Sequence, residues 1–187
     1  LLVQRLGKVI AGDTVGVIAA LLVAVYPGHI YLSGVFYVDC IAIFLAAAWL
    51  LATYRTMESP WQLRTSAAAG FLFGLLALTR PTFLAIAPVA ASFFFLLPNA
   101  RFASALRAAA VFTIVCTVTI MPWTIRNQRA YGGVVIVSSG FWDTLWKGNN
   151  ELADGGPNDR FLGWTFKPWQ DRLAKLPEPR RSEIASK

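Results

Sequence analysis

Four side chains capable of polar chemistry, His29, Asp39, Arg80 and Arg126, lie within or beside long apolar runs. Ionisable groups in such surroundings are costly, so each is a candidate for function. Arg80 stands in Thr79-Arg80-Pro81, between two apolar segments. Pro81 disfavours helix at the residue before it. The guanidinium is therefore held at a break between helices, and its planar fork of N–H donors suits phosphate oxygens. Its competing role is that of an interface anchor with the charged head turned to water.

Asp39 lies in Val35-Phe-Tyr-Val-Asp-Cys-Ile-Ala-Ile-Phe44. A carboxylate there needs a cation, and Arg80 or Arg126 could supply one in a purely structural ion pair. His29 is the only histidine, and it and Asp39 each sit five residues from Gly34, so in helices they reach a similar depth. A hydrogen bond at a membrane interface is the plainer role for such a histidine. Arg126 and Arg129 follow Pro122-Trp123, which fits either a phosphate contact or an aromatic belt with cationic anchors. Trp142 and Trp146, in Phe141-Trp-Asp-Thr-Leu-Trp146, set aromatic area beside polar groups. Sugar rings, with apolar faces and hydrogen-bonding rims, fit such a surface, and so does simple anchoring of a loop.

The elements that must position these groups are membrane helices. Of the 187 residues 56% are hydrophobic and only 14% charged, with the apolar ones in uninterrupted blocks that a soluble core of this size could not hide. A bilayer core of roughly 30 Å asks for about 20 apolar residues per helix. Five segments come close: 12–32, 35–54, 66–78, 81–97 and 108–122. The expected fold is an all-α, polytopic bundle over 1–127, followed by an external loop and tail over 128–187. The third and fourth segments are short and joined by a tight turn at Arg80, so a re-entrant pair is the alternative to two full crossings. Gly132-Gly-Val-Val-Ile-Val-Ser-Ser139, with β-branched residues after glycines, suggests a short strand or extended stretch on the outer surface.

Arg5, Lys8, Arg55, Arg64, Arg101 and Arg107 alternate with loops that carry only Arg80. Basic residues in short loops resist translocation, which predicts a cytoplasmic start and a periplasmic location for everything after Pro122 in a bacterial inner membrane. The net charge of +7 then reports topology, and no zinc-finger, helix-turn-helix or basic-aromatic pattern points to nucleic acid. Cys40 and Cys116 both fall in apolar segments and read as small packing residues. No Ser-His-Asp arrangement, phosphate loop, dinucleotide fingerprint or metal-ligand cluster is present in the sequence. The chain begins Leu-Leu-Val-Gln-Arg, without Met, and ends in a polar tail, which reads as an internal piece of a longer protein.

Several stretches together resemble the bacterial branch of the dolichyl-phosphate-mannose protein mannosyltransferase superfamily, polytopic GT-C enzymes that include the aminoarabinose transferase of lipid A. They are Leu6-Gly-Lys-Val-Ile-Ala-Gly-Asp-Thr-Val-Gly16, Ala24-Val-Tyr-Pro-Gly-His-Ile-Tyr-Leu-Ser33, Gly74-Leu-Leu-Ala-Leu-Thr-Arg-Pro-Thr82, Pro122-Trp-Thr-Ile-Arg-Asn127 and Leu145-Trp-Lys-Gly-Asn-Asn150. The resemblance implies a family 39-like glycosyltransferase of the cell envelope that moves a sugar, with inversion, from a polyprenyl-phosphate donor to a lipid, glycan or protein acceptor outside the membrane.

By that resemblance Arg80 contacts the carrier phosphate and Arg126 matches the arginine of the Pro-Trp-Thr-Ile-Arg-Asn run. Asp39 stands where relatives carry an acidic residue, but with Val38 before it in place of Ser or Thr. Trp142-Asp143-Thr144 departs from the family's Asn-containing pattern. The family's catalytic acidic pair belongs to an earlier external loop, so the general base is expected outside this chain and Asp39 is at most auxiliary. A divalent metal ion is the one cofactor left open, with His29 beside Asp39 as its candidate ligands. The competing class is a transporter or flippase of lipid-linked sugars, against which the sequence offers one interrupted segment, at Arg80, in place of a pair.

Overall fold

The computed structural model describes residues 1–35, 38–58, 62–96, 101–138 and 149. Every regular element among them is helical, as the apolar blocks predict. In chain order they are α1 (Leu2–Ala11), α2 (Asp13–Val25), α3 (Pro27–Gly34), α4 (Val38–Glu58), α5 (Leu63–Thr79), α6 (Phe83–Ser92), a 3-10 turn over Phe93–Leu96, and α7 (Phe102–Tyr131). By contacts the chain divides into two compact units, Leu1–Ile120 and Met121–Lys187.

In the first unit α1 doubles back onto α2 at Gly12, whose φ of 93° is open to glycine at little cost. The two helices touch at glycines: a Cβ on Gly7 would lie 2.8 Å from the Gly16 Cα. Lys8 and Asp13 pair across the turn at 2.7 Å, with both side chains largely exposed. Segment 12–32, read as a single crossing, is instead broken. Tyr26 is extended, Pro27 brings no N–H to continue the ladder, and α2 and α3 meet at a 53° bend.

α4 and α5 form an antiparallel hairpin in which Trp49 meets Phe73 edge-on at 5.0 Å. α5 then presents Gly70 and Gly74, one turn apart, to α7. A Cβ on Gly70 would fall 2.4 Å from the Phe112 carbonyl oxygen, and one on Gly74 2.8 Å from the Thr119 Cβ. Small residues spaced by four let membrane helices approach backbone to backbone. Because Gly70 meets residue 112 and Gly74 meets residue 119, α5 and α7 run parallel here. Phe112 reaches Phe73 at 5.4 Å and Phe94 at 5.5 Å, and these three rings with Leu76 are the largest fully buried apolar side chains. Leu21, Phe44, Ile114 and Val118 point outward, each more than half exposed. A soluble protein seldom displays so much apolar surface, and lipid-facing helices do.

α4 and α7 are each long and apolar enough to cross a membrane, and α2 with α3 adds a third crossing if the bent pair counts as one. α5, with 17 residues, and α6, with 10, fall below that length, so the expected count of five is not reached by length alone. α7 also corrects the reading of 108–122 as a span ending at Pro122: the helix runs from 102 to 131 with Pro122 inside it. Proline removes one N–H from the ladder and leaves the Val118 carbonyl without its helical donor, yet a long apolar helix tolerates this.

In the second unit, 132–138 forms bends and irregular backbone, and no strand forms there. The stretch is held by side chains of α7. Trp123 Nε1 donates to the Val137 carbonyl at 3.1 Å, Thr124 Oγ1 to that of Ile136 at 2.9 Å, and Asn127 Nδ2 to those of Val135 and Val137.

Candidate functional site

The antiparallel α4–α5 hairpin brings the start of one helix to the end of the other, and with them Asp39 and Arg80. Arg80 Nη2 donates to Asp39 Oδ1. Each helix end favours its charge, since a carboxylate suits the N-terminal turn of α4 and a cation the C-terminus of α5. Local chemistry fixes the break. The Arg80 N–H closes the α5 ladder on the Leu76 carbonyl at 2.8 Å, and Arg80 itself is extended at φ −134°, ψ 98°. Pro81 follows without a donor, and the chain re-enters helix through bonds from the Phe83 N–H to the Arg80 carbonyl and from the Leu84 N–H to that of Pro81.

The pair is asymmetric. The Asp39 side chain is only 19% exposed, whereas that of Arg80 is 46% exposed. A guanidinium has five N–H donors. One is committed to Asp39, and the exposed part of the group can take a second anion. Of the two partners open to Asp39 from the sequence, Arg80 is the one that holds it.

His29 is half-buried near the start of α3, edge-on to the Tyr26 ring at 5.1 Å, with no hydrogen bond or ion pair to Asp39 among the described residues. Arg126, in the second unit, stacks on Trp123 with its guanidinium carbon 4.8 Å from the ring centroid and donates from Nη1 to Asn127 Oδ1 at 3.2 Å. That geometry matches the cationic-anchor reading at least as well as a phosphate contact. Trp142 and Trp146 lie outside the described residues.

His29 and Asp39 do not make a divalent-metal site in this structure. Among the described residues no group of three or more His, Cys, Asp or Glu side chains gathers, and Asp39 is already engaged by Arg80. Two features escaped the sequence reading. Asn127, 2% exposed, grips two backbone carbonyls, and no local pattern signals that. The Gly70–Gly74 contact did have a signal, glycines four apart in an apolar segment. Comparison of the chain with protein-family models, with curated proteins and with solved structures finds no match.

Proposed function

We propose that this chain belongs to a membrane glycosyltransferase that takes a sugar from a polyprenyl-phosphate donor and passes it to an acceptor on the periplasmic face of a bacterial inner membrane. The observation that carries the reading is Arg80, half-exposed at a proline-fixed helix break and oriented by Asp39. In the proposed reaction an acceptor oxygen forms a bond to the anomeric carbon as the bond to the carrier phosphate breaks, and the acceptor proton passes to a carboxylate. Charge grows on the departing phosphate, where the free N–H groups of Arg80 would stabilise it. Asp39 is then a positioning residue, because its carboxylate is committed to Arg80, and Asp13 is committed to Lys8. The carboxylate that takes the proton is a group other than Asp39 and Asp13. Five crossings, with α5 and α6 as a thin hairpin through the membrane, complete the proposed topology.

The test is sugar transfer from a polyprenyl-phosphate donor by the full-length protein in membranes. Arg80→Gln is expected to lower transfer by about 100-fold or more, the range seen when one donor to a developing charge is lost. Unchanged transfer with the variant inserted normally would demote Arg80 to an anchor.

One observation favours a transporter of lipid-linked sugars as the second reading. The apolar helices are interrupted twice, at Tyr26–Pro27 and at Arg80–Pro81, where the sequence displayed only the latter. Paired interruptions are typical of transporter binding sites. Carrier binding by the wild-type protein without transfer to any acceptor would decide for it.

A further inference from the structure

The end of the first unit remote from Arg80 collects that unit's other arginines. α4 ends and α5 begins there, which places Arg55 and Arg64 together. α7 runs parallel to α5, so Arg101 and Arg107, at its start, lie at the same end. α1 is fastened there too, since the Tyr54 hydroxyl donates to the Val9 carbonyl at 3.3 Å. All of these arginines and Arg5 are exposed, and among the described residues none has a salt-bridge partner.

α1 has the pattern of a helix that lies along a membrane surface. At 100° per residue Leu2, Leu6, Val9 and Ile10 share one face, and Gln4, Arg5 and Lys8 the other. Its 10 residues cover about 15 Å, half of a bilayer core, so it cannot cross. Hairpin packing on α2 through Gly7 and Gly16 fixes it beside the bundle.

We infer that α1 lies in the membrane interface and that Arg5, Arg55 and Arg64 form with it a seat for the head groups of acidic phospholipids. Charge complementarity selects the occupant, because exposed guanidinium groups beside an apolar helix face match an anionic phosphate above acyl chains. The inference rests on the basic end alone and not on the transferase reading.

Native mass spectrometry of the whole chain released from micelles tests it, with phosphatidylglycerol and phosphatidylcholine of identical acyl chains as probes. The wild type is expected to bind the first phosphatidylglycerol at least about fivefold more tightly than phosphatidylcholine, the contribution of one basic residue near an anionic surface. Arg5→Gln, Arg55→Gln and Arg64→Gln together should bring the two lipids to parity. The same three positions changed to Lys should keep the preference, as should Arg129→Gln at the far end of α7. Equal binding of both lipids by the wild type, a preference that survives the Gln variant, or its loss in the Lys variant would each overturn the proposal.

Discussion

The asymmetry of the Asp39–Arg80 pair predicts unequal costs for removing its two halves. Arg80→Gln strands a carboxylate whose side chain is only 19% exposed. Breaking a fully buried pair in this way costs roughly 3–5 kcal/mol, and breaking an exposed one about 0–1 kcal/mol. With Arg80 itself nearly half exposed, the pair falls between these limits, at about 2 kcal/mol. Asp39→Asn leaves instead a long cationic side chain that can turn to water, so its cost is about 0.5–1 kcal/mol. The double variant has no stranded charge and should cost no more than about 1 kcal/mol, well below the sum of the singles. Reversible unfolding of the four proteins in mixed micelles measures all three differences. The reasoning fails if Asp39→Asn costs as much as Arg80→Gln, or if the single costs add in the double variant.

Glycine substitutions should separate contact from conformation. Gly70→Ala, whose Cβ would meet the Phe112 carbonyl oxygen at 2.4 Å, must part α5 from α7 and should cost about 1–3 kcal/mol in the same unfolding measurement. Gly34→Ala meets nothing within 4 Å at the end of α3 and should be neutral or stabilising by up to about 1 kcal/mol. Asn127→Ala removes the donor shared by the Val135 and Val137 carbonyls, and hydrogen exchange should accelerate in 132–138 while α4 and α5 stay protected.

Hydropathy located the apolar helices α2 to α7 but not α1, and of the two interruptions only the one at Arg80–Pro81 was legible. Pro27 was plain in the sequence, yet an apolar run on both sides of it reads as one span, because lipid rewards apolar side chains whatever the backbone does. Pro122 misled in the opposite direction: taken as an end, it sits inside α7, where the helix bonds on either side outlast one missing donor. The Asp39–Arg80 contact was legible because a carboxylate within an apolar run needs a cation and the hairpin order supplies one. Arg126 was a candidate for the same role, and its stacking on Trp123 depends on one turn of helix bringing the two side chains together. The absent strand at 132–138 is explained by its donors: side chains of α7 occupy the carbonyls of Val135, Ile136 and Val137 that a ladder would use.

The close approach at Gly70 and Gly74 also orders events during synthesis. α4 and α5 are neighbours in the chain and can pair as soon as both have left the ribosome. The glycine groove on α5 then faces lipid until Phe112 and Thr119 are made, roughly 40 residues later, or about 2–8 s at 5–20 residues per second. During that interval α5 is a short apolar helix of 17 residues that lacks its partner at the glycine face. Insertion of this bundle therefore depends on the nascent α4–α5 hairpin surviving in the membrane until α7 arrives to close it.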